Sequence, residues 1–238
     1  MAKGKAIFDL RMSNSAVKLS IKENENELGS GTVDHMSFSY FLKPDETNSY
    51  FIYGFNWDME NMKVSVPGNK EIESAGNIQQ LGMKFSLENL TAPFVESYFN
   101  LVKKNYEMSA VMDKEKLRQQ QMAMGLTIAS EFMKSKPVIK FSISPFKHYF
   151  GELEAELNFQ FLNLMAPPVG KAVVKILKIN EVLDKIAGEK SLSQKTRDEL
   201  LKLAKKYVSV DENGNGTLIF ETRQDQPGIF FLNGEPIK

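Results

Sequence analysis

Residues 77–95 read NIQQLGMKFSLENLTAPFV, and residues 151–169 read GELEAELNFQFLNLMAPPV. The two stretches align without a gap and share Phe85/Phe159, Asn89/Asn163, Leu90/Leu164, Ala92/Ala166, Pro93/Pro167 and Val95/Val169. Average residue usage would give about one identity over this length. Each copy starts as an alternating strand, passes through Asn-Leu-x-Ala-Pro and enters an apolar stretch of helical character. Pro93 and Pro167 suit a first helical turn, where the missing N–H costs nothing. Thr91 is placed to cap the first helix, whereas Met165 in the second copy cannot cap.

The repeat extends upstream. Residues 63–67 (KVSVP) and 140–145 (KFSISP) are each a short alternating strand ended by proline, followed by a loop and a longer strand. That makes a unit of strand, long strand and helix. Ahead of it, alternation at residues 6–12, 16–21, 36–42 and 50–55 predicts antiparallel strands, separated by turn chemistry at 23–31 and 43–49. Helices are expected over 93–106, 112–133, 169–186 and 193–207. In the last, Ser193 is positioned as N-cap, with Lys202, Lys205 and Lys206 late, as the helix dipole favours. Two hairpins close the chain, 207–210 with 218–222 and 229–232 with 236–238, the second across Asn233-Gly234.

The expected fold is α+β: a long, twisted antiparallel sheet from repeated strand–strand–helix units, with helices on one face. Residues 1–60 are N-terminal strands, 61–136 the first unit, and 137–238 the second unit with the C-terminal helix and hairpins, all in one continuous body.

Composition narrows the chemistry. The 238 residues contain no cysteine, which excludes disulfides, Cys-ligated zinc and thiol catalysis. Thirty basic and thirty acidic residues balance, so no basic surface for nucleic acid is expected. No run approaches the roughly 18 apolar residues of a membrane span. The start, MAKGKAIFDLRM, has no apolar core and predicts no signal peptide, which leaves a cytoplasmic protein or an export segment outside this chain.

No nucleotide-binding or serine-hydrolase signature is present. His35 and His148 stand 113 residues apart without metal spacing and read as strand histidines. Asp211-Glu-Asn-Gly-Asn-Gly216 resembles half a calcium loop, but position twelve is Thr222 and not glutamate, so a hairpin turn is favoured. Glu152, Glu154 and Glu156 alternate along one strand and read as a solvated row. Lys171, Lys175 and Lys178 read as a solvated helix face.

Methionines crowd residues 108–133, and a flexible Met surface can line an adaptable apolar groove. The candidate ligand-binding residues are Met108, Met112, Met124, Ile128 and Phe132. No catalytic residue, metal ligand or cofactor is expected.

The C-terminal strings carry a resemblance. ELLKLAKKY, VSVDENGNGTLIFETRQ and GIFFLNGEPIK, with KPVIKFSISPFKHYFGELEAELNFQF upstream, resemble the end of YdgA-like bacterial proteins, a family of unknown function. The likeness covers the C-terminal two-thirds and implies a periplasmic envelope protein with an N-terminal membrane anchor, which this chain lacks. The family supplies no catalytic residues. The functional expectation is a non-enzymatic envelope protein binding a lipid or acyl chain between the sheet and the Met-rich helices. The alternative is an oligomeric scaffold or interaction module, with an envelope protein or a second copy as partner.

Overall fold

The computed structural model describes residues 7–23, 26–69, 76–109, 114–163 and 166–237. Eleven strands form one antiparallel sheet: β1 (Phe8–Glu23), β2 (Asn26–Pro44), β3 (Phe51–Ser65), β4 (Ile78–Leu90), β5 (Val138–His148), β6 (Gly151–Gln160), β7 (Val169–Leu177), β8 (Ser209–Val210), β9 (Gly216–Arg223), β10 (Gln226–Leu232) and β11 (Glu235–Pro236). Among the described residues four helices interrupt them: α1 (Ala92–Ser109) and α2 (Lys114–Lys134) between β4 and β5, then α3 (Ile179–Gly188) and α4 (Gln194–Tyr207) between β7 and β8. The strand order is that of the chain, β1 through β7, then β9, β10 and β11, with β8 pairing β9. The path begins at β1 and ends at β11 without closing, so the sheet is open.

The N-terminal strands are longer than the alternation suggested. From Phe8 on, the first two expected strands belong to one, because Ala16 turns through a positive φ of 55° and the ladder with β2 resumes at Val17. The polar stretch 23–31 is mostly strand, resuming at Asn26. Likewise, residues 63–67 hold no separate strand; 63–65 end β3, which starts at Phe51, and 66–67 follow it. Pro145 does not end its strand either. It sits in a bulge between Ile143 and Phe146, where a missing N–H is tolerated.

The second copy of the repeat does not enter a helix. Val169–Leu177 is strand β7, paired with β6 on one side and β9 on the other, and helix begins only at Ile179. The reason lies in Pro167-Pro168. A residue before proline is pushed out of the α region, so Pro167 cannot open a helix as Pro93 does before Phe94. In the first copy the expected start is found: α1 begins at Ala92, and the Phe94 N–H donates to Thr91 Oγ1 at 3.4 Å.

Directly opposed residues in a sheet share a face. One row across the sheet runs Leu10, Tyr40, Phe55, Phe85, Phe141, Leu157, Ala172, Phe220 and Leu232. The next row on the same face is Met12, Phe38, Trp57, Met83, Ile143, Ala155, Val174 and Leu218. The opposite face reads Arg11, Ser39, Asn56, Lys84, Ser142 and Glu156 along the corresponding row. One face is therefore apolar from edge to edge. Its aromatic rings form a ladder, with Phe55 stacked on Phe85 at 5.4 Å and Phe8 on Tyr40 at 5.2 Å.

Residues of α1 and α2 pack on part of this face. Val95 is buried with Leu42, Phe51 and Leu90, and Phe94 and Phe132 pack against that cluster beside Tyr53 and Leu87.

Candidate ligand-binding site

The second helical pair is tied down by its own local chemistry. Lys178 takes a left-handed conformation, φ 49°, and its N–H donates to Asn215 Oδ1 at 3.2 Å. The next N–H, from Ile179, donates to the Gly214 carbonyl at 2.9 Å. Ile179 is then 2% exposed against Gly216, where an added Cβ would lie 3.1 Å from its own. Gly151 is equally required: a Cβ there would meet Val182 Cγ2 at 2.4 Å, so α3 rests directly on the start of β6.

Between α3 and α4 the chain turns on Glu189. Its carboxylate accepts from the Tyr149 hydroxyl at 2.6 Å and from the Ser191 N–H at 2.8 Å, while Arg197 donates to its carbonyl. The Tyr149 hydrogen bond foremost, with the Ser191 N–H and the Arg197 charge, holds this carboxyl at about 2. Ser193 caps α4 as expected, accepting from the Thr196 N–H at 3.2 Å. The helix ends at Tyr207, whose carbonyl accepts from Asn233 Nδ2 at 2.6 Å, while Asn233 Oδ1 accepts from the Ile219 N–H at 2.8 Å.

So fixed, each helix presents an apolar stripe at 3.6-residue spacing: Ile179, Val182, Leu183 and Ile186 on α3, and Leu200, Leu203, Ala204 and Tyr207 on α4. Ile176, Leu218, Phe220 and Leu232 on the sheet lie opposite. Together they line an open cavity of about 1060 Å³, just above the roughly 300–1,000 Å³ typical of small-molecule sites. Leu203 remains 53% exposed and Phe220 42%, so the chain itself does not fill this space. Polar groups are confined to a few positions, among them Lys206, Ser209, Asn233 and Glu235.

The residues chosen from the sequence lie elsewhere. Ile128 and Phe132 are half-buried on α2, where the Phe132 ring sits 5.4 Å from Phe94 and 6.2 Å from Phe161. Met108 and Met124 fall within α1 and α2, with side chains outside what is described, and Met112 lies outside the described residues. The cavity residues had a legible signal, the two amphipathic stripes, but nothing in sequence said that the stripes face each other.

The other candidates resolve individually. His148 stacks on Phe146 and its Nδ1 accepts from the Phe150 N–H at 3.3 Å. Asp211 Oδ1 accepts from the Asn213 and Asn215 N–H groups, both at 2.9 Å, so its carboxylate organises the β8–β9 turn. Glu154 accepts from Ser144 Oγ at 3.3 Å, and Glu152 lies 4.0 Å from Lys147. Lys171 and Lys175, expected on a helix, stand on β7 opposite Asn158 and Glu154. Among the described residues no group of three or more His, Asp or Glu side chains is arranged to hold a metal ion, and no helix is long and apolar enough to cross a membrane. No family model, curated protein or solved structure matches the chain.

Proposed function

We propose that this chain is a non-enzymatic binder of a hydrophobic ligand, a lipid or acyl chain, held against the apolar face of the sheet. The observation that carries the proposal is the cavity beneath α3 and α4, lined by apolar side chains that the chain leaves unfilled. A ligand lying there would continue across the same face toward Tyr40, Phe55 and Phe85, and so toward Ile128 and Phe132 of the Met-rich pair. Burying a methylene there gains about 0.8 kcal/mol, so a long chain offers ample affinity even after its ordering cost. On the resemblance to YdgA-like proteins, the compartment is the periplasm, with the full-length protein anchored to the membrane.

The test is native mass spectrometry of gently purified protein, with Leu203→Asp and Phe132→Asp variants beside it. A bound mass of lipid size that denaturation releases is the expected result. Leu203→Asp should lose it and Phe132→Asp should keep most of it. An apo mass in every preparation, with no uptake of added lipid, sinks the proposal.

One observation favours a second reading, an oligomeric scaffold. Among the described residues β1 pairs with β2 alone, and a long unpaired edge is a template for another chain. A discrete oligomer persisting at low micromolar concentration would support it.

A further inference from the structure

We infer that two copies of this chain join at the free edge of the sheet, β1 pairing antiparallel with β1 about a two-fold axis through Leu10. The inference rests on the scaffold reading above, names its partner, and is independent of what the cavity holds. The two ends of the sheet differ. β11 is two residues long and contains Pro236, and β10 beside it carries Pro227, so that edge is blunted against pairing. β1 runs for 16 residues without a proline and, among the described residues, pairs with β2 alone. A head-to-tail contact would need both edges. The edge that can pair therefore meets its own kind, which closes the assembly at two copies.

The residues of β1 select the register. Its pairing with β2 is regular from Phe8 to Ser15 and is interrupted at Ala16 by the positive φ. Opposed residues share a face, so within the regular segment the two-fold must pass through a residue and not between two. An axis through Asp9 or Arg11 would set like charges against each other, and one through Met12 would set Leu10 against Asn14. The axis through Leu10 sets Asp9 of each copy opposite Arg11 of the other, Leu10 opposite Leu10, and Phe8 opposite Met12. In the single chain Arg11 Nη2 already donates to Asp9 Oδ2 at 2.8 Å, so the two pairs would interleave into a network of four charges. Leu10 and Met12 are each 53% exposed, and this register covers both with apolar partners. It also keeps Phe8, Leu10 and Met12 on one side, so the apolar face continues from one copy into the next.

The experiment uses the full chain and two kinds of variant. Sedimentation velocity over a dilution series compares wild type with Asp9→Arg, Arg11→Asp and an equimolar mixture of the two. Wild type should be a dimer, each variant alone should dimerise about tenfold more weakly, and the mixture should recover wild-type strength because opposite charges then meet again. The second kind exploits the absence of cysteine. Opposed Cα atoms in an antiparallel pair lie about 4.5–5.5 Å apart, within disulfide reach. Leu10→Cys should therefore cross-link to its twin under mild oxidation, whereas Met12→Cys, equally exposed, should not. Asp9→Cys and Arg11→Cys should cross-link when mixed and not when alone. A dimer indifferent to the charge variants, or equal trapping at positions 10 and 12, overturns the inference and leaves the scaffold reading to another surface. A monomer throughout the dilution series overturns both.

Discussion

Glu189 joins three pieces of chain through one residue: the end of α3, the β5–β6 turn through Tyr149, and the start of α4 through Ser191 and Arg197. Its hydrogen bonds favour the ionised form, which is why the carboxyl is held at about 2 rather than the usual 4.5. A folded value below the unfolded one contributes stability that is complete above about pH 4.5 and is lost as pH falls toward 2. The gap in thermal midpoint between wild type and Glu189→Gln should therefore be widest above pH 5 and should close as pH approaches 2. A gap independent of pH would show that the carboxylate's charge is not what Tyr149 and Ser191 stabilise. Nothing in the sequence around Glu189 announced this, since Tyr149 is forty residues away. Ser193 and Asp211 were legible, because caps and turns are made by residues a few positions apart.

At the scale of elements the same distinction explains which parts of the fold were readable. The antiparallel strands, α1, α4 and the Asn233-Gly234 hairpin all follow from local periodicity and local turn chemistry. The strand β7 did not, because lysines at 171 and 175 satisfy a period of four as well as a period of two. Only pairing with β6 and β9, and the second proline after Ala166, decides between them. The cavity was hidden for a related reason: its walls come from α3, α4 and β9–β11, whose mutual placement is set by non-local bonds. Asn233 makes the clearest of these, joining the end of α4 to β9 from a turn with φ 52°. Replacing it by glycine keeps that conformation but strands the Tyr207 carbonyl and the Ile219 N–H, and should cost about 2 kcal/mol in urea unfolding. Alanine should cost about 1 kcal/mol more, for the positive φ. Equal losses from the two variants would mean that the hydrogen bonds alone matter there.

The whole molecule is open. Its accessible surface is 15942 Å², whereas a compact monomer of 27.0 kDa would expose about 10,800 Å². Against an unfolded chain of roughly 39,000 Å², folding buries only about 59%, the fraction expected of a 60-residue domain. Among the described residues eight apolar side chains form the buried core while eighteen large ones stay exposed. The sheet is too wide for the described helices to cover, which is the physical ground for expecting a ligand or partner on its apolar face. Because the urea m-value scales with the surface exposed on unfolding, the ligand-free monomer should show about four-fifths of the value for a compact domain of its length. Lipid that spreads along the face should raise m toward the compact value, and lipid confined to the cavity should raise stability with little change in m. A compact-like m without lipid would mean that the face is already covered in solution. If that m then fell on dilution, the cover would be a second copy of the chain, and the scaffold reading would take precedence.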